Sequence, residues 1–208
     1  MKSLFINTST KKLIISIVVD QEIKYLYKGD NSNNLSVDLM SIIDEAFRSV
    51  SMEPSDLDTI FVTNGPGTFT GIRIGLTVIK IMAWSLNIKV VPISSLEFMA
   101  SIKAQGRYIV PLIDARKGYV FAGVYDENLN SVIPDSYVFL DDLVKRLDDK
   151  EIYYVSHDEF DFVVHESDYD ILKIIDKHRN DVGVNPHKLN PNYLKNTEVE
   201  EKIRESSR

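Results

Sequence analysis

The amino-acid sequence predicts an α/β protein of two similar lobes facing each other, the second smaller than the first. Three observations point there. A strand hairpin, a third strand, then helix, strand and helix occur twice, at a spacing of about 105 residues, far beyond the 20–50 of solenoid arrays. The two hairpin turns carry corresponding polar stretches, Asn7-Thr8-Ser9-Thr10 and Asp114-Ala115-Arg116-Lys117-Gly118. Apolar residues thin out after Lys150, leaving less core for the second unit. The expected division is 1–104 for the first lobe, 105–190 for the second and 191–208 for a helical tail.

In the first half, 4–10 opens as a strand and ends in hydroxyl side chains. Lys11-Lys12 turns the chain, and 13–19 and 22–28 follow as strands. After the polar loop 29–34, a helix is expected over 36–50, with Leu39, Ile43, Phe47 and Val50 at helical spacing and Val37 and Met40 widening the apolar face. The run 59–63 is β-branched and aromatic, as a buried strand would be. Asn64-Gly65-Pro66-Gly67 then forces a sharp turn, since the glycines reach backbone angles closed to other residues and Pro66 fixes one dihedral between them. Thr70 is placed to cap a long helix over 71–86. A strand at 88–92 and a helix from Ser94-Ser95 to about 103 close the half. The second half reads as strands at 108–114, 119–125 and 136–140, a helix at 140–147, a strand at 151–155 and a helix at 168–177. The stretch 182–191 reads as a linker with little structure, and 197–208 as a charged helical end, marginal unless docked.

The helix over 71–86 carries two apolar stripes. Ile72, Leu76, Ile79, Ala83 and Leu86 form one, and Ile74, Val78 and Ile81 the other. A surface helix of a small domain needs a single stripe about 100° wide. The second stripe asks for another partner, either inside the same domain or on another subunit. Gly71 and Gly75, four apart, would let a neighbouring backbone come close.

Composition sets further bounds. The 208 residues suffice for one or two domains with a real core. A net charge of −7 disfavours direct, dominant nucleic-acid binding. With no cysteine there is neither a disulfide framework nor a thiolate metal site. No apolar run approaches the roughly 18 residues that cross a bilayer, and Met1-Lys2 leads into a strand without a signal-peptide pattern. A cytoplasmic location is expected.

Catalytic chemistry is thinly provided. Two hairpin turns facing across a cleft would suit a nucleotide phosphate, with carboxylates holding magnesium through water. Asn7 stands where one such carboxylate would sit, and Asp114 is the other. His157, His165, His178 and His187 include no i,i+4 pair, so no zinc-binding helix is present, and a Gly-x-Ser-x-Gly elbow is absent. The glycine loop lacks the Gly-Lys-Ser/Thr of a P-loop. Its helix start could still attract an anion, with Gly65, Gly67, Thr68, Thr70, Gly71 and Arg73 as the candidate residues. No metal ligands and no catalytic residues are assigned.

Four motifs, in order, resemble one family. Asn64-Gly65-Pro66-Gly67-Thr68-Phe69-Thr70-Gly71-Ile72-Arg73-Ile74-Gly75 is similar to the GPGSFTGLRIG motif of the TsaB (YeaZ) proteins. Pro92-Ile93-Ser94-Ser95-Leu96-Glu97 resembles the next segment of that family, and Leu112 to Val120, with Asp114, Arg116, Lys117 and Gly118, its DARKGEVY hairpin. Pro191-Asn192-Tyr193-Leu194-Lys195 resembles the P-x-YLR near its end.

The resemblance implies a fold of the actin/Hsp70/sugar-kinase type with two RNase H-like lobes. It implies a role in forming N6-threonylcarbamoyladenosine at position 37 of tRNAs that read codons starting with A. The implied role is that of a non-catalytic partner of TsaD, with the ATPase TsaE joining the pair, tRNA bound by the whole complex, and a homodimer when TsaD is absent. ATP or ADP could lie at the subunit interface. The first-lobe helices would build the contact, through Leu39, Met40, Ile43 and Phe47 on one and Ile72, Ile74, Gly75, Val78, Ile79 and Met82 on the other. The chain departs from the family in having Asn7 for the usual aspartate and no histidine within 31–36. The competing readings are an ATPase or kinase of the same fold and, behind it, a glycoprotease-like peptidase.

Overall fold

A computed structural model describes residues 1–31, 34–103, 107–147, 151–162, 164–165 and 168–195. The first sheet has the order β3-β2-β1-β4-β5, from β1 (Lys2–Asn7), β2 (Lys12–Val19), β3 (Glu22–Asp30), β4 (Thr59–Thr63) and β5 (Lys89–Ile93). The hairpin strands β1, β2 and β3 pair antiparallel, while β4 and β5 run parallel to β1. The second sheet repeats the pattern as β8-β7-β6-β9, from β6 (Tyr108–Asp114), β7 (Tyr119–Tyr125), β8 (Ser131–Phe139) and β9 (Ile152–Val155). Among the described residues it has no counterpart of β5, so the second sheet is the smaller one.

Strands β1, β2 and β4 are almost continuously apolar because both faces of their sheet are covered. Leu4, Ile6, Leu13, Ile15 and Ile17 pack under the helices α1 (Leu35–Ser49) and α2 (Phe69–Leu86). Phe5, Ile14, Val18, Phe61 and Val91 point the other way, into a cluster shared with α3 (Ser95–Met99), with Ile109 and Val155 of the second sheet, and with α5 (Ile171–His178). The outer face of the second sheet has its own small core, Val110, Leu112, Val120, Ala122 and Val124 against Leu143 and Leu147 of α4 (Leu140–Leu147).

Several boundaries differ from expectation, each for a physical reason. Helix α2 starts at Phe69 with Thr68 at its N-cap, so Thr70 lies inside the first turn. Helix α3 stops at Met99 rather than near 103, where the Ser101 hydroxyl donates to the Phe98 carbonyl at 2.7 Å and closes the turn. Strand β8 begins at Ser131 and runs through Pro134; as an edge strand it tolerates a residue with no N–H to donate. Helix α5 begins at Ile171, because Asp170 caps it by accepting from the Lys173 amide. The stretch read as a linker returns to the first sheet, with Val184 bridging Val90 and Leu189 buried under α2. The helical end expected over 197–208 lies outside the described residues.

One ion-pair cluster ties the two halves together. Glu97 on α3 accepts from His178 Nε2 at 3.0 Å and pairs with Lys177, both on α5, while His178 Nδ1 faces Asp181 at 2.7 Å. Burial pushes the Glu97 carboxyl up, but the bonds from His178 and Lys177 outweigh it and hold the group below its ordinary value. Burial works against His178⁺, yet Glu97 and Asp181 raise it above 6.5. The raised His178 contributes stability that is complete below 6.5 and lost as pH rises through the folded value; the lowered Glu97 contributes stability that is lost as pH falls through its own folded value. Urea midpoints should therefore fall when pH is raised from just under 6.5 to about 8, and His178→Gln should remove that part of the fall.

Candidate functional site

Helix α2 sorts its two stripes cleanly. Ile72, Leu76, Ile79 and Ala83 are at most 2% exposed and lie on the sheet. Ile74, Val78 and Met82 are half-buried on the other side, while Ile81 and Trp84 are 62% and 65% exposed. On α1, Val37 and Met40 are exposed at 71% and 54%. Between the helices runs a groove of about 1030 Å³ lined by Met40, Ile43, Phe47, Val78, Ile81 and Met82. A contiguous apolar surface of this kind marks a site of contact with a protein, a ligand or a membrane.

The interface residues expected from sequence therefore divide. Met40, Ile74, Val78 and Met82 are on the outer face. Ile43 and Phe47 form the groove floor, whereas Leu39, Ile72 and Ile79 are packed in the interior of this chain. Gly75 also faces inward: a Cβ there would stand 2.2 Å from Thr8 Oγ1, so the neighbour it admits is the β1–β2 turn of its own lobe. Val37, Ile81 and Trp84 belong on the outer face and were missing from that set; Ile81 lies in the second stripe, with Trp84 one turn on. Averaged over all 18 residues, α2 has a hydropathy of 1.3, which by length and composition would suffice to cross a membrane. Arg73, Thr77 and Lys80 interrupt the apolar run, so that no unbroken stretch is long enough, without lowering the mean far.

The glycine loop is occupied by its own fold. A Cβ on Gly67 would lie 1.9 Å from the Ser9 carbonyl, which already accepts from the Thr68 amide at 2.7 Å. The Gly65 carbonyl accepts from the Ser95 amide, and Gly71 rests on the Thr8 carbonyl, 2.1 Å from where a Cβ would be. Arg73 lies with its guanidinium 3.6 Å above the Phe69 ring, its Nε donating to the Tyr193 hydroxyl at 2.9 Å. Thr70 is exposed and caps nothing. Of the six anion candidates, Gly67 and Thr68 reach the cleft between the lobes, and the Thr68 amide is already engaged.

That cleft, about 460 Å³, brings Gly67 and Thr68 together with Ser9, Lys11, Asp114, Arg116 and Asp158. Lys11 bridges it to Asp158 at 2.7 Å, and this bond chiefly raises the lysine pKa. Asp114 accepts from the Arg116 amide, and its own amide donates to Asp158. Arg116, Lys117 and Gly118 all have left-handed backbones, and Gly118 is pressed on the Phe139 ring. Among the described residues no group of three or more His, Asp or Glu converges to hold a metal.

Asn7 is fully buried at the end of β1. Its Nδ2 donates to Thr10 Oγ1 and to the Lys12 carbonyl, each at 2.8 Å, while its Oδ1 accepts from Ser9 and Thr63. An amide satisfies this site and a carboxylate does not, because the Lys12 carbonyl can only accept. Asn7→Asp is expected to cost about 2–3 kcal/mol at neutral pH, with part recovered under acid conditions that protonate the new carboxyl; urea unfolding at two pH values measures it.

The comparisons with known proteins bear on what this surface and cleft belong to. The family model described as "TsaD: tRNA N6-adenosine threonylcarbamoyltransferase" matches residues 29–171. The tRNA threonylcarbamoyladenosine biosynthesis protein TsaB of Bacillus subtilis is 36% identical over 167 residues, 76% of this chain and 72% of that protein. The chain belongs to the TsaB family. The Haemophilus influenzae TsaB is 29% identical over 139 residues, 62% of this chain, and the match spans 56% of that protein. The solved structure of YeaZ from Pseudomonas aeruginosa superposes with a TM-score of 0.78 at 19% identity, covering 93% of this chain and all of that one. With the repeated strand order, this places the fold in the actin/Hsp70/sugar-kinase class.

Proposed function

We propose that this chain is the non-catalytic partner subunit of the complex that forms N6-threonylcarbamoyladenosine at position 37 of ANN-decoding tRNAs, and that the outer face of α1 and α2 docks its catalytic paralogue, TsaD. The observation that carries the reading is the apolar groove flanked by Met40, Val78, Ile81 and Met82, on a helix pair whose opposite faces are already buried. A partner presenting the same helix pair would close it as a four-helix bundle, and a stable contact of this kind buries roughly 1,200–2,000 Å² in total. The same face would join two copies of this chain when TsaD is absent.

Asn7 supports the non-catalytic role: its side chain is saturated by the β1–β2 turn and Thr63 of β4 and offers nothing to a cation. ATP or ADP would lie at the subunit interface rather than in the glycine loop, which is engaged with Ser9 and Thr8. TsaE would join the assembled pair, and tRNA would be held by the complex in the cytoplasm. Light scattering on this chain mixed with separately purified TsaD tests the reading; a heterodimer is expected, and two non-interacting species would overturn it. The kinase-like alternative would require ATP turnover by the isolated chain.

A further inference from the structure

The turn between β6 and β7 has a feature that neither the partner face nor the cleft explains. Tyr119, directly after the turn, stacks on Tyr137 of β8 with ring centres 4.7 Å apart and planes 9° off parallel. Phe139 meets Tyr119 edge-on at 5.3 Å. Tyr119 and Phe139 are each 37% exposed, large rings open to water on one sheet face. Three cations border them. Arg116 and Lys117 stand exposed on the turn, which the Tyr119 amide closes by donating to the Arg116 carbonyl at 3.1 Å. Lys195, from the C-terminal segment, sits 5.1 Å from the Tyr137 ring centre. None of the three pairs with a carboxylate among the described residues, in a chain whose net charge is −7. The acids nearby are Asp114, which accepts from the Arg116 amide, Asp158, which accepts from the Asp114 amide and pairs with Lys11, and Asp141 and Asp142 in the first turn of α4.

We propose that Tyr119 and Phe139, bordered by Arg116, Lys117 and Lys195, form a stacking platform for unpaired bases of an RNA strand. Rings stack on any base, and cations beside them meet the phosphates that link the bases. Acidity elsewhere on the chain confines the attraction to this patch and disfavours a long duplex. The inference rests on the reading that the complex acts on tRNA, and it adds a contact that this chain itself makes.

The test uses fluorescence anisotropy on the full chain, with and without TsaD, and two probes: an unmodified tRNA transcript and an oligouridylate of about ten nucleotides. Tyr119→Leu should weaken oligouridylate binding about tenfold while keeping its salt dependence. The double variant Arg116→Glu with Lys117→Glu, at exposed positions that do not threaten folding, should weaken it at least as much and flatten the salt slope by about 1.4. Binding by both variants within about twofold of the parent chain, or no oligouridylate binding by the parent chain, overturns the proposal. Association with TsaD is read separately in the same samples. A complex that forms but ignores RNA sinks this inference alone, whereas failure to associate sinks the partner reading alone.

Discussion

Val78→Glu is expected to leave the first lobe folded and to abolish association with TsaD. Val78 is half-buried beside the groove between α1 and α2, with Met40, Ile81 and Met82 around it. In the free chain a glutamate there can turn its carboxylate into water. Once a partner covers the face it cannot, and an unpaired charge held in an apolar contact costs several kcal/mol, about 3–5 here. At 1.4 kcal/mol per tenfold, that is more than a hundredfold in affinity. Co-purification and an unchanged melting curve measure the two halves of the expectation. Leu76→Glu, two residues earlier and 2% exposed, should instead unfold the lobe. If Val78→Glu binds TsaD as the parent does, the contact lies elsewhere.

Gly71→Ala is expected to be strongly destabilising although it lies inside a helix. In an ordinary helix this substitution stabilises by about 1 kcal/mol. Here the added Cβ would lie 2.1 Å from the carbonyl oxygen of Thr8, a backbone atom that cannot swing aside. Either α2 lifts from the β1–β2 turn or the turn breaks its bonds, and a loss of about 3 kcal/mol or more follows. Gly75→Ala should be milder, because its obstacle at 2.2 Å is the hydroxyl of Thr8, a side chain that can rotate. Chemical denaturation of both variants gives the comparison, and equal midpoints would contradict the close-approach account.

These two glycines show where sequence was informative and where it stopped. Spacing four apart on a helix announced a close neighbour, but whether that neighbour was the chain's own turn or another subunit depends on which way the helix is rotated. The repeated hairpins were legible but the order of strands within each sheet was not, and Thr59–Thr63, Tyr108–Asp114, Tyr119–Tyr125 and Leu140–Leu147 have the expected bounds because period and turn residues agree there. Pro134 hid the first half of β8, since proline stops an interior strand but not an edge. Two stripes were legible on α2, but apolar residues on both sides left open which stripe lay inside; burial resolves it in favour of Ile72, Leu76 and Ile79. The role of Asn7 was half legible. Its replacement of a carboxylate could be seen, but its four hydrogen bonds come from residues up to 56 positions away.

The stretch 64–75 thus sets how α2 is seated and which of its faces is presented. Its glycines seat α2 on the β1–β2 turn closely enough to bury one stripe and present the other. The most direct test of the central claim is reconstituted threonylcarbamoylation of a tRNA transcript by TsaD and TsaE with this chain, without it, and with Val78→Glu. Modification that requires the chain and fails with the folded Val78→Glu protein is the predicted result. Full modification without the chain, or undiminished modification with Val78→Glu, would contradict it.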